Sequence, residues 1–111
     1  MEERSSADRR LYVRYPMATT VEFYHGPSRR YFRAQTVDIS AGGVLMYVPA
    51  SAPVAPGHPI RLTIGSHNRP ELAGLSSRPL DATVVRVDRQ RMLSHGMLPV
   101  GVRFAQPQTE I

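Results

Sequence analysis

The chain has no cysteine, no tryptophan and no lysine. Without cysteine there are no disulfides and no thiolate metal ligands, which is compatible with a reducing cytoplasm. No apolar run approaches the roughly 20 residues of a membrane span. The first ten residues hold no apolar segment of the kind a secretory leader needs. Aromatic residues make up only 7%, so platforms for stacking single-stranded bases are few. Tyr31-Phe32-Arg33 beside Arg29-Arg30 is the one candidate, and we rank nucleic-acid binding last. Catalytic spacings are missing too. Ser40 lacks a Gly-x-Ser-x-Gly elbow, and the carboxylates form no recognisable acid/base pair. The four histidines, His25, His58, His67 and His95, show neither i,i+4 spacing nor cysteine neighbours, and read as loop residues rather than metal ligands. We expect neither an enzyme, nor a metal site, nor a cofactor.

What is present is one domain's worth of ordinary globular chain: 111 residues, 41% hydrophobic and 21% charged. The net charge of +5 is carried by fourteen arginines. Most read as solvated surface, part of it explicable by codon bias. Arg9, Arg10 and Arg14 are the ones we read as steering an anion.

The punctuation is that of an all-β protein. Residues 1–8 are polar and read as a disordered end. From Asp8 to Pro16 the chain reads as an arm lying across a barrel wall, anchored by Leu11 and Val13. Strands are expected at Val21–Tyr24, Tyr31–Ile39, Val44–Val48, Ile60–Ile64, Leu80–Asp88 and Val100–Phe104. The alternation is clean in Ile60, Leu62 and Ile64 against Arg61 and Thr63. Pro49 to Pro59, with four prolines, reads as an irregular connection, and Arg89 to Pro99 as a hairpin connection. Gly65 to Pro79 reads as a long loop without an assigned role. Six short strands without a periodic helix point to a six-stranded antiparallel β-barrel, in which closure removes exposed edges.

The chemistry concentrates in Asp38-Ile39-Ser40-Ala41-Gly42-Gly43. A carboxylate and a hydroxyl two residues apart on an extended segment share a side. The glycines are expected to let the backbone turn and to leave room above it. Arginine forks upstream suit phosphate oxygens and the acceptor edge of guanine. Together they read as a site for a small anionic purine ligand. Asp38 has a competing role, capping the turn through an Asx-type bond, and Ser40 could equally well serve only to hold that turn.

Arg10-x-x-x-Arg14 followed by Asp38-x-Ser40-x-x-Gly43, with Gly101-Val-Arg-Phe104 as a closing strand, resembles the paired signature of the PilZ family. The resemblance covers residues 9–111. It implies a PilZ-type barrel that binds cyclic di-GMP through Arg9, Arg10, Arg14, Asp38, Ser40, Gly42 and Gly43. It also implies an N-terminal arm that is flexible until ligand orders it, and a cytoplasmic signalling role with a downstream partner. The three arginines together lead us to expect two stacked ligand molecules per site, since the third guanidinium offsets phosphate repulsion. The family usually adds a C-terminal helix. Here Pro107 interrupts a short tail, so that helix is expected to be short or missing, and an open barrel mouth would favour a homodimer. The alternative function is a ligand-independent adaptor barrel in a motility, secretion or exopolysaccharide system.

Overall fold

Alternating side chains become alternating burial, strand by strand, in the computed structural model, which describes residues 12–64, 78–93 and 95–108. Seven strands follow in order: β1 Tyr15–Pro16, β2 Thr20–His25, β3 Arg30–Ile39, β4 Gly43–Pro49, β5 Pro59–Ile64, β6 Leu80–Val87 and β7 Met97–Phe104. All pairings are antiparallel, and the sheet runs β1-β3-β2-β5-β6-β7-β4. A further β3–β4 pairing joins its ends, so β2 to β7 close into a six-stranded barrel with the two-residue β1 laid along β3. Closure leaves the six barrel strands without a free edge.

The expected inward sets are the observed ones. Val44, Met46 and Val48 are buried, as are Ile60, Leu62 and Ile64, and Val100, Val102 and Phe104. Side chains such as Leu62 and Ile39, both at 0% exposure, each contribute about 1.5–3 kcal/mol on burial. The proline-rich connection after β4 is irregular but takes part in the core. Ala52 and Val54 are both 1% exposed and pack into the same cluster.

Some boundaries differ from the sequence reading. β3 starts at Arg30, and β7 starts at Met97 rather than Val100. The β6–β7 connection is correspondingly short, holding a single 3-10 turn at Arg89–Arg91. Gly96, at φ +80, makes the left-handed turn that aims the chain into β7. The arm is anchored differently from expectation. Val13 is 68% exposed, whereas Met17 is buried and Tyr15 packs against the core. The reason is register: Tyr15 pairs with Ile39 and Pro16 with Asp38, so Val13 lies beyond the paired stretch. Leu11 lies outside the described residues, as do residues 65–77 of the long loop.

His25 also departs from the loop reading. It ends β2 and is 1% exposed. The Ala55 N–H donates to His58 Nδ1 at 3.2 Å, so that nitrogen is an acceptor. His25 Nε2–H then donates to the same atom at 2.9 Å, and the Ser28 hydroxyl donates to His25 Nδ1 at 2.7 Å. Burial first, and the neighbouring His58 second, push the His25 pKa below its usual value. No helix among the described residues is long and apolar enough to cross a membrane, and residues 105–108 are not helical.

Candidate functional site

Strict alternation would point Asp38 into the barrel, because Ala34 and Thr36 face inward. A β-bulge prevents this. Thr36 pairs with Met46 and Asp38 with Leu45, so Val37 is an extra residue and the register shifts between them. One inserted residue turns the following side chain to the other face. The arm supports the bulge: Met17 N–H donates to the Val37 carbonyl at 3.0 Å. Thr36 Oγ1 donates to the Met17 carbonyl and accepts from the Thr19 N–H at 3.0 Å.

Turned outward, Asp38 meets Arg14. The guanidinium Nη1 donates to Asp38 Oδ1 at 2.5 Å, with the two side chains 37% and 24% exposed. Residues 24 apart in sequence thus close on each other, the arm from one side and the end of β3 from the other. A pair this exposed contributes only about 0–1 kcal/mol to folding. Asp38 therefore pairs with the arm instead of capping the turn. Ser40 does the capping: its Oγ accepts the Gly42 N–H at 3.2 Å, and its own N–H donates to the Gly43 carbonyl at 2.9 Å.

The glycines turn the chain without a left-handed backbone, and close neighbours account for both. Among the described glycines, Gly57 and Gly96 have positive φ and Gly42 and Gly43 do not, so neither is there for a left-handed turn. A Cβ on Gly43 would stand 2.1 Å from the Val102 carbonyl oxygen. Gly43 is thus required by the close approach of β4 to β7. A Cβ on Gly42 would stand 2.8 Å from the Tyr12 ring. That ring, which lines the same groove as Arg14, occupies the space over the turn. Tyr12 carries no signal in the sequence, where only its charged neighbours do.

These residues form one end of a groove of about 650 Å³ on the outside of the β4–β7–β6 wall. Arg14, Asp38, Ser40, Gly42 and Gly43 all line it, together with Tyr12. Leu45, Val85, Pro99 and Gly101 contribute a largely apolar floor, and Arg86, Asp88, Arg91 and Arg103 line the rest. Four arginines against two aspartates leave the lining with a net charge of +2. Arg86 and Arg91 belong to no sequence motif, and Arg103, though part of the Gly101–Phe104 run, carries no expected ligand role; the pairing of β6 with β7 brings β6 and β7 side by side at the groove. Arg9 and Arg10 lie outside the described residues.

A family model for the PilZ domain matches residues 8–111. Among solved structures, the "PilZ domain with c-di-GMP of YcgR from Escherichia coli" shares the fold at a TM-score of 0.60. Identity is 18%, over 92% of this chain and 83% of that one. The Bacillus subtilis inhibitor of motility (MotI/DgrA) gives a TM-score of 0.63 and 21% identity over 89% of this chain. Only 44% of that protein is covered, so the chain spans less than half its length. No curated protein gives a significant match. Carried by the family match over nearly its whole length and by the closed barrel it shares with those structures, the chain belongs to the PilZ domain family.

Proposed function

We propose that the chain is a cyclic di-GMP receptor domain whose ligand lies in the groove between the arm and the Asp38–Gly43 turn. The observation that carries the reading is the meeting of Arg14 and Asp38 across one groove with a net lining charge of +2. A dianion matches that charge. Asp38 is chemically suited to accept from guanine N1–H and N2–H, and the Arg14 fork suits O6 and N7 or a phosphate. The YcgR structure, with cyclic di-GMP in its PilZ domain, supports the choice of ligand.

Ligand entry exchanges the Arg14–Asp38 pair for contacts to the nucleotide. Because that pair is exposed and weak, the exchange costs little. Arg9 and Arg10 complete the donor set, and with three arginines the site takes two stacked ligands. Ordering the arm backbone costs about 1–2 kcal/mol per residue, which ligand binding offsets. The ordered arm is the signal passed to a partner or neighbouring domain, in the cytoplasm where such a messenger acts. The domain is a receptor and not an enzyme. In that reading Ser40 holds the turn, its oxygen accepting from the Gly42 N–H.

Arg14→Ala tests the assignment. The variant should melt within a few degrees of the parent and bind cyclic di-GMP more weakly by about 1–3 kcal/mol. Unchanged affinity would remove Arg14 from the site. If neither protein shows a nucleotide-dependent thermal shift, the adaptor reading takes its place, since ligand at a hundredfold over Kd adds about 2.7 kcal/mol.

A further inference from the structure

The groove has a second wall, and the same structural device builds it. On β6, Val84 pairs with Val102 and Arg86 with Gly101, so Val85 is an extra residue and the register shifts between Val84 and Arg86. Val84 faces the core. Uninterrupted alternation would send Arg86 inward beside it. The bulge turns Arg86 out, as the β3 bulge turns out Asp38, and both side chains line one groove. Bulges recur where a strand must re-aim a functional side chain.

Opposite Arg86 stands a residue with no side chain. A Cβ on Gly101 would be 3.7 Å from Arg86 Cβ and 3.8 Å from Val85 Cγ2, ordinary contact distances. The β6–β7 pairing therefore does not require a glycine there, in contrast to Gly43. Its effect is to leave the sheet bare between Arg86 on β6 and Leu45, its partner on β4. The charge on this side is also less committed. Arg86 is 72% exposed and its carboxylate neighbour Asp88 is 3.9 Å away, beyond hydrogen-bonding reach, whereas Arg14 is held by Asp38 at 2.5 Å.

We infer that this wall is the second half of the binding site: Arg86 takes an anionic group of the ligand, and Gly101 is the floor on which the ligand lies. The inference rests on the receptor reading and deepens it. The dianion is gripped from two walls, each aimed by its own bulge, rather than by the arm and turn alone.

Calorimetric titration of the parent, Arg86→Ala, Arg86→Lys, Gly101→Val and Arg33→Ala with cyclic di-GMP tests it. Loss of a charge-assisted bond should weaken binding by Arg86→Ala about ten- to hundredfold. Arg86→Lys keeps the charge without the fork and should fall between Ala and parent. Gly101→Val puts a branched side chain on the floor and should weaken binding at least about tenfold. Its melting temperature should match or exceed the parent's, since valine favours strands. Arg33→Ala, exposed on the β3 face outside the groove, removes the same charge and should leave affinity unchanged. If the parent binds and both Arg86→Ala and Gly101→Val match it, the second wall is refuted while the receptor reading stands. Loss in only one variant overturns the role assigned to the other residue. A parent that does not bind at all refutes the receptor reading and this inference with it.

Discussion

Two outer walls of one barrel treat their side chains in opposite ways. On the β3–β2–β5 wall, outward residues find partners across strands. Tyr24 and Tyr31 pack with their rings tilted, 5.0 Å between centroids, Glu22 stands opposite Arg33, and Arg61 holds Asp81 on adjoining β6 at 3.0 Å. The β2–β3, β2–β5 and β5–β6 ladders run without a register shift. On the β4–β7–β6 wall, Gly101 and Pro99 leave the sheet uncovered, and the two bulges lie in its own β6–β7 ladder and in the flanking β3–β4 ladder. The two irregular ladders are those where a bulge turns Asp38 and Arg86 out towards the groove, one of them in the β3–β4 pairing that closes the barrel.

The most forceful way to break this contrast is to stop the groove wall from closing. Gly43→Ala drives a methyl into the Val102 carbonyl at 2.1 Å and should cost about 3 kcal/mol or more, read by urea denaturation. Gly101→Ala, in the same pair of walls but with open space, should change stability by less than about 1 kcal/mol. Equal losses would mean that the two glycines do not differ in role, one fixing the strand approach and the other baring the floor.

Acid sharpens the contrast from the other side, because His25 closes the end of the regular wall. Its pKa is lowered in the folded state by burial and then by His58. The unfolded chain therefore binds this proton at a higher pH than the folded one does. That contribution to stability is complete above about pH 6.5 and is lost as pH falls below it. His25→Gln should flatten the stability–pH profile between about pH 7.5 and 5.5; an unchanged slope would contradict a buried, neutral histidine at this position. A modest effect belongs to the turn. Ser40→Ala should cost about 0.5–1.5 kcal/mol by leaving the Gly42 N–H without its acceptor. No loss would mean that water replaces the hydroxyl.

What is legible in the sequence follows from local pattern. Alternation in Ile60–Ile64 and Val44–Val48 places the core, and the Arg14 and Asp38 motifs mark one end of the groove. The remainder depends on register, which no local pattern carries. Val13 reads as an anchor because it alternates with Leu11, yet the paired stretch begins only at Tyr15. Arg86 carries no motif, and it reaches the groove only because one extra residue sits in β6. Gly42 and Gly43 stand out as necessary, but what they leave room for is not legible, since neither needs a positive φ. Their neighbours, Tyr12 and Val102, are far away along the chain and close only in space.

Isothermal titration of the parent with cyclic di-GMP, set against cyclic di-AMP, bears most directly on the groove as a guanine site. Adenine presents a donor at N6 where guanine presents the O6 acceptor, so arginine forks should accept the first nucleotide and reject the second. Saturable binding of cyclic di-GMP, at two ligands per protomer, with no measurable heat of binding for cyclic di-AMP, is the expected result. Equal binding of both, or of neither, would contradict a guanine-reading groove.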